Sequence, residues 1–246
     1  MKPSLDQITA VVLAGGFGTR IKHLLRDLPK PMAPVADKPF VEWVVRYLAK
    51  QGVRRVILST GYLADTIANH FANQPVPGVA VTCVPETTPL GTAGGFLHAA
   101  HSHAPPAPAA WLVLNGDSLA FLDLAAFAAR LAGADTIGAL AGLEVPDATR
   151  YGTLAVNAQS QLTAFTEKRP GRGIINAGVY LLRDEALRCF PAKAPLSFET
   201  DVFPAFLTKR YRLAAHVVRA PFLDIGTPES LPQAEAFIRA NAAQFA

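Results

Sequence analysis

The run Ile8-Thr9-Ala10-Val11-Val12-Leu13 carries no charge and opens directly into Ala14-Gly15-Gly16-Phe17-Gly18-Thr19-Arg20. A strand without polar alternation has to be covered on both faces, and sheets covered on both faces are mostly parallel and flanked by helices. The chain that follows obeys this constraint. Short β-rich runs at 56–59, 79–84 and 111–115 read as further buried strands with helical patterns between them, the alternation of an α/β fold. The helix after the first crossover is the clearest. Pro39 sits at its start, Val41, Val44, Val45 and Leu48 form an apolar stripe, and Gly52 supplies the stop. Glu42, Arg46 and Lys50 fall at i, i+4 spacing on what the pattern makes its wet face. Further on, the sequence predicts helices near 122–131, 184–189 and 198–207, strands near 136–144, 152–156, 162–166, 174–182 and 213–218, and a last helix over 228–243.

Composition excludes several functions. With 50% hydrophobic and 17% charged residues the chain can bury a large core and is not a disordered scaffold. A net charge of +4 is too thin for a nucleic-acid binder, so a small anionic ligand is expected instead. Cys83 and Cys189 share no ligand spacing with any histidine, which argues against a disulfide framework and a zinc site and suits the reducing cytoplasm. His98, His101 and His103 lack an acidic or cysteine companion and read as solvated. Phe17, Trp43 and Trp111 read as core or pocket wall. The apolar run 8–14 is too short for a signal peptide, and the longest stretch without Asp, Glu, Lys or Arg, 87–116, is broken by prolines, glycines and histidines, so no membrane span is expected.

The glycines at 15, 16 and 18 let backbone N–H groups approach an anion closely, and Arg20 can fork onto phosphate oxygens. Taken alone, the segment also fits an ordinary glycine turn leaving a strand. It matches neither common phosphate template: Ile21 stands where a dinucleotide loop needs glycine, and no Gly-Lys-Ser/Thr follows. Ten residues on, Leu28-Pro29-Lys30-Pro31-Met32 holds a lysine between two prolines that restrict where its ammonium points.

Gly-Gly-Phe-Gly-Thr-Arg followed by Pro-Lys-Pro-Met resembles the signature of sugar-1-phosphate nucleotidyltransferases, the nucleoside diphosphate sugar pyrophosphorylases. The resemblance continues in the family's order through segments 89–94, 114–118, 150–153, 166–168, 175–180 and 224–229, and so covers almost the whole chain. It implies a three-layer α/β/α sandwich with a mostly parallel mixed sheet, the Rossmann-like nucleotidyltransferase fold. It also implies a single domain, with a nucleotide-binding part over about 1–120 and a sugar-binding part over about 121–225; no internal repeat is found, and no C-terminal β-helix is expected beyond the last helix.

The implied site follows residue by residue. Ala14, Gly15, Gly16, Gly18, Thr19, Arg20 and Lys30 would cradle the triphosphate, with Gly91 and Thr92 beside the base. Asp117 and Asp224 would hold Mg²⁺ against the phosphates, although a lone aspartate more often serves a turn or a cap, and Asp224 lies just ahead of Thr227-Pro228-Glu229, which reads as a helix start. Lys168 would hold the sugar phosphate, with Glu167, Gly152, Asn176 and Gly178 around the sugar. Glu167 and Lys168 equally fit a solvated pair, Arg169 and Arg172 a solvated rim, and Gly178 a packing role. Glu86 falls five positions before Gly91, where the resemblance puts base reading. A carboxylate only accepts hydrogen bonds, and guanine offers two adjacent donors, which favours GTP; the alternative is a loop glutamate in water.

Within the family, the segments 29–35, 38–40, 115–118 and 197–199 look most like the D-glycero-α-D-manno-heptose 1-phosphate guanylyltransferases. The implied reaction joins GMP to a sugar 1-phosphate with release of pyrophosphate. Mannose-1-phosphate guanylyltransferases, uridylyl or thymidylyl enzymes, a nucleotide-sugar-dependent glycosyltransferase and an inert regulatory homologue stay open at this stage, as does a homo-oligomer.

Overall fold

The computed structural model describes residues 3–16, 18–25, 27–104, 106–166 and 170–245. In chain order the strands are β1 (Ile8–Ala14), β2 (Pro34–Val35), β3 (Lys38–Pro39), β4 (Arg55–Thr60), β5 (Ala80–Pro85), β6 (Ala110–Asn115) and β7 (Ser118–Ala120). They continue with β8 (Thr136–Val145), β9 (Thr153–Val156), β10 (Leu162–Thr166), β11 (Gly173–Leu182), β12 (Arg212–Val218) and β13 (Phe222–Asp224). The α-helices are α1 (Phe40–Gln51), α2 (Ala64–Asn73), α3 (Thr92–His101), α4 (Leu124–Ala128), α5 (Phe203–Thr208) and α6 (Ala234–Ala240).

As its uninterrupted apolar run requires, β1 lies inside the sheet, with Ala10, Val11 and Val12 fully buried. It pairs in parallel with β4 on one side and β6 on the other, and β5 extends β4, also in parallel. Beyond β6 the sheet changes character. β11 runs antiparallel to β6, β8 and β9, β10 runs antiparallel to β9, and β12 is parallel to β8, completing nine strands among the described residues. Helices cover both faces: α1 and α2 pack on one, and α3 and α5 on the other, where Phe96, Trp111, Phe198 and Phe203 are fully or almost fully buried. No helix among the described residues is long and apolar enough to cross a membrane.

Several local expectations need correction. Glu42 is not on a wet face: it is 2% exposed, and its carboxylate accepts from Arg46 Nε at 2.7 Å and bonds His70 Nε2 of α2 at 2.8 Å. The i, i+4 spacing describes α1 by itself, and α2 covers that side. Segment 184–189 is a 3₁₀ helix, too short to offset α-helix nucleation. The segment 122–131 shrinks to α4 with a 3₁₀ turn, and 198–207 opens with a π-helical turn before α5. The last helix is not continuous over 228–243. Thr227 to Ser230 form a turn in which Thr227 O accepts from Leu231 N, and a 3₁₀ turn with Pro232, which has no N–H to donate, precedes α6. His103 is not simply solvated but packs edge-on against Trp111 at 5.4 Å. Phe17 lies outside the described residues.

Two short pairings escaped the pattern reading. One is the β2–β3 hairpin. The other is an antiparallel ribbon of β7 with β13 that sets Asp224 opposite Ser118, while Ile225 N donates to Asp117 O at 3.0 Å.

Candidate active site

Parallel neighbours bring their carboxyl ends to one edge, and in open α/β sheets that edge is where ligands bind. Here β1 empties into the glycine turn, β6 empties into Gly116 and Asp117, and Gly116 N donates to Leu13 O at 2.9 Å to tie the two strand ends together. Between them opens a cavity of about 320 Å³. Leu13, Ala14, Gly15 and Gly16 line one side, Asn115 and Asp117 another, Lys30 and Pro31 the third, and Glu86, Pro89, Gly91 and Thr92 the segment after β5.

Lys30 is the organising cation. Pro29 and Pro31 hold it in a 3₁₀ turn, Lys30–Met32, and its stem is packed so closely that a Cβ on Gly18 would lie 2.8 Å from Lys30 Cβ. The side chain is only 9% exposed, and Nζ donates to Asp117 Oδ2 at 2.5 Å. Asp224 arrives through the β7–β13 ribbon, and its Oδ1 accepts from Gly226 N at 2.7 Å. A Cβ on Gly226 would come 2.6 Å from Asp224 Oδ1 and 3.0 Å from Lys30 Nζ, so the ammonium and the second carboxylate share that face of the glycine. The donor set is two hard carboxylates around a point where positive charge already sits, which suits a divalent cation. Among the described residues no group of three His, Cys, Asp or Glu side chains could hold a metal, so such an ion would have to complete its shell with phosphate or water oxygens.

Glu86 stands between this cavity and a smaller one of about 190 Å³ bounded by Gly61, Tyr62, Thr87 and Thr88. Its carboxylate accepts from Ser59 Oγ at 2.8 Å and from Leu90 N at 3.1 Å, so it braces the loop as well as facing the cleft. Gly91 has φ +79° and lies against the Leu196 carbonyl, which an added Cβ would meet at 2.5 Å. That carbonyl accepts from Ala93 N and Gly94 N at the start of α3, leaving the glycine turn rather than this helix end to meet an anion. Thr92 lines the cavity while its hydroxyl donates to Glu199 at 3.2 Å.

A family profile described as nucleotidyl transferase matches residues 9–241. The chain belongs to that family. It is 35% identical over 221 residues to a D-glycero-alpha-D-manno-heptose 1-phosphate guanylyltransferase of Campylobacter jejuni, covering 89% of this chain and 95% of that one. Its identity to a guanylyltransferase of the same description from Aneurinibacillus thermoaerophilus is 34%, with 92% and 96% covered. The crystal structure of HddC from Yersinia pseudotuberculosis complexed with GMP-PN superposes with a TM-score of 0.80 at 36% identity, covering 93% of this chain and 98% of that chain.

On the other side of this nucleotidyl transferase's cleft, β11 slips register against β8 between Asn176 and Tyr180, and the irregularity holds Gly178 at φ +69°. A Cβ there would lie 2.4 Å from Asn115 Nδ2, so Gly178 makes room for the Asn115 side chain at the cavity wall. Asn176 Oδ1 accepts from Gly178 N, and Gly152 O accepts from Asn176 N at 3.0 Å, which gathers these three predicted residues at one place. Asn176 Nδ2 donates to Tyr180 OH and Tyr180 OH donates to Glu199, both at 2.8 Å. Burial, reinforced by the Glu199 carboxylate, holds the Tyr180 phenol well above its usual range, so it remains a donor. Thr19 and Arg20 are exposed and do not line the cavity. Glu167, Lys168 and Arg169 lie outside the described residues, and Arg172 is an exposed partner of Glu144 at 3.6 Å.

Sequence reasoning missed Asn115, Pro31 and Pro89 in the wall and the Tyr180–Glu199 link behind it. Asn115 carried a signal, being the polar residue that ends an otherwise apolar strand run. Tyr180 and Glu199 fell inside the resembling segments 175–180 and 197–199, but their contact carried no signal, because it depends on how α5 and the turn before it pack on β11.

Proposed function

We propose that this nucleotidyl transferase joins GMP from GTP to a sugar 1-phosphate, D-glycero-α-D-manno-heptose 1-phosphate, yielding GDP-heptose and pyrophosphate. The observation that carries this reading is the meeting of Lys30 with Asp117 and Asp224 at the carboxyl edge of β1 and β6, beside a glycine turn open to an anion. The likeness to heptose 1-phosphate guanylyltransferases along nearly their whole length supports the choice of substrates.

In the reaction a sugar-phosphate oxygen attacks the α-phosphorus in line, the bond from that phosphorus to the pyrophosphate oxygen breaks, and pyrophosphate leaves with the electron pair. Two anions must approach, so positive charge and alignment do most of the catalysis. Ala14, Gly15, Gly16, Gly18 and Thr19 offer a backbone cradle, and Arg20 and Lys30 neutralise the β- and γ-phosphates as the leaving charge grows. Arg20, which is exposed, would close onto the nucleotide when it binds. Lys168 holds the attacking phosphate, while Glu167, Gly152, Asn176 and Gly178 contact the sugar. Asp117 and Asp224 would hold Mg²⁺, which when bound withdraws charge from the α-phosphate oxygens. Glu86 reads guanine: each of its oxygens is engaged once by the protein and keeps a further lone pair for the N1–H and N2–H donors. Gly91 and Thr92 shape the base side of the pocket. The unpaired thiols Cys83 and Cys189 support a cytoplasmic setting, where both substrates would be found.

Pyrophosphate release, measured with each nucleoside triphosphate against heptose, mannose and glucose 1-phosphates, tests the reading. GTP with the heptose phosphate should turn over fastest. No release with any pairing would end the enzymatic reading, a preference for UTP or dTTP would remove Glu86 from base reading, and a preference for mannose 1-phosphate would replace the sugar.

A further inference from the structure

Lys30 is paired within the cleft with Asp117. Its Nζ sits 2.5 Å from Asp117 Oδ2 and against the face of Gly226 that also carries Asp224 Oδ1, and its stem is fixed by the flanking prolines and by Gly18. These are the two carboxylates that the proposed function gives to the metal, so the inference rests on that reading. We propose that Lys30 is a resident cation for Asp117 that competes with the divalent metal, and that the nucleotide's phosphates draw the lysine off and so release the carboxylate to the ion.

A physical argument and two observations carry this. An ammonium and a divalent ion cannot both take full advantage of one carboxylate, because two cations crowded together repel at these distances. The lysine is mostly shielded, at 9% exposure, while Asp117 is 37% exposed and lines the cavity, so the carboxylate stays open to an arriving ligand. Glycine at 226 leaves the ammonium its place, since any Cβ there would crowd both Lys30 Nζ and Asp224 Oδ1. A triphosphate is the stronger attractor for Lys30 because it offers several charged oxygens to one ammonium. Coupling of this kind is reciprocal: whatever binding advantage the nucleotide gives the metal, the metal gives the nucleotide. Lys30 is thereby a positioning residue for the metal in addition to its phosphate contact.

The test is Mn²⁺ titration of the nucleotide-free full chain, followed by electron paramagnetic resonance of the free ion. Lys30→Met keeps an unbranched stem of similar length and removes the charge, and it should bind Mn²⁺ at least about tenfold more tightly than the native protein, the effect of losing one charge-assisted competitor. Lys30→Arg keeps a cation and should stay within about threefold of native, on the same reasoning. Asp117→Asn, combined with Lys30→Met, should abolish the gain. Unfolding midpoints of all variants establish that each is folded. If Lys30→Met binds Mn²⁺ no better than native while Asp117→Asn weakens binding, the metal site stands and the competition is overturned. If the gain in Lys30→Met survives Asp117→Asn and Asp224→Asn alike, the metal assignment itself is wrong and the inference goes with it.

Discussion

Two carboxylate–cation clusters in this molecule use the same chemistry to different ends. Between α1 and α2, Glu42 is 2% exposed and both its oxygens are spoken for, one by Arg46 and one by His70. In the cleft, Asp117 is 37% exposed, and among the described residues only its Oδ2 is engaged, by Lys30. A buried carboxylate with every acceptor satisfied is fixed, because removing a partner would leave a desolvated charge. A half-exposed one with spare acceptors can exchange partners at little cost. The difference teaches where to look for function: not at the best-satisfied ion pair but at the one left incomplete at a strand end.

The sharpest way to break the contrast is to remove each carboxylate and read both rate and stability. Asp117→Ala should lower kcat for pyrophosphate release by about 10²- to 10³-fold, the scale of losing a preorganised electrostatic group, and should lower the unfolding midpoint less than the loss of Glu42 does, because Lys30 Nζ still lies beside Asp224. Activity within a few-fold of native would remove Asp117 from the machinery. Glu42→Ala should do the reverse, costing about 3 kcal/mol in urea unfolding while the KM for GTP holds, since a broken buried pair strands its partners. A variant as stable as native would show the cluster to be dispensable.

Smaller effects sharpen the picture within the cleft. Gly178→Ala puts a Cβ at positive φ against Asn115, and should cost about 1–3 kcal/mol of stability and raise the KM for the sugar phosphate more than that for GTP. Equal shifts in both KM values would separate Gly178 from the sugar side. Glu86 is intermediate between the two clusters, braced by Ser59 and Leu90 yet lining the cavity. In Glu86→Gln one acceptor becomes a donor, so preference for GTP over UTP should fall by about tenfold, the value of one charged hydrogen bond, and an unchanged ratio would confine Glu86 to bracing the loop. The smallest effect concerns His216, whose pKa burial and Arg130 hold below the ordinary 6.5. Below pH 6.5 the unfolded chain takes up a proton that the folded chain refuses, so stability should decline from pH 7 toward pH 5.5, and less steeply in His216→Gln. Parallel pH profiles for the two proteins would exclude that origin.

The parallel half of the sheet was legible because its strands are apolar throughout and its turns carry glycine. β1, β4, β5 and β6 all fall within two residues of their expected bounds. The antiparallel half was legible strand by strand but not in register, since nothing local announces the slip at Asn176–Tyr180. In the cleft, residue types gave away Lys30 and the glycines. The contact of Lys30 with Asp117 was hidden, because it spans 87 positions and depends on where a 3₁₀ turn sets a lysine stem. Glu42 was misplaced for a related reason: a helical wheel knows its own helix, not the neighbour that covers it.

The β7–β13 ribbon also bears on the order of assembly. It is three residues long on each side, yet it closes roughly a hundred residues of intervening chain, whose closure entropy so few hydrogen bonds cannot offset. The ribbon therefore waits until β8 to β12 have folded and brought β13 home. Asp224 is accordingly a late arrival: a chain misfolded anywhere between β7 and β13 keeps its glycine turn and its lysine but does not set Asp224 beside them.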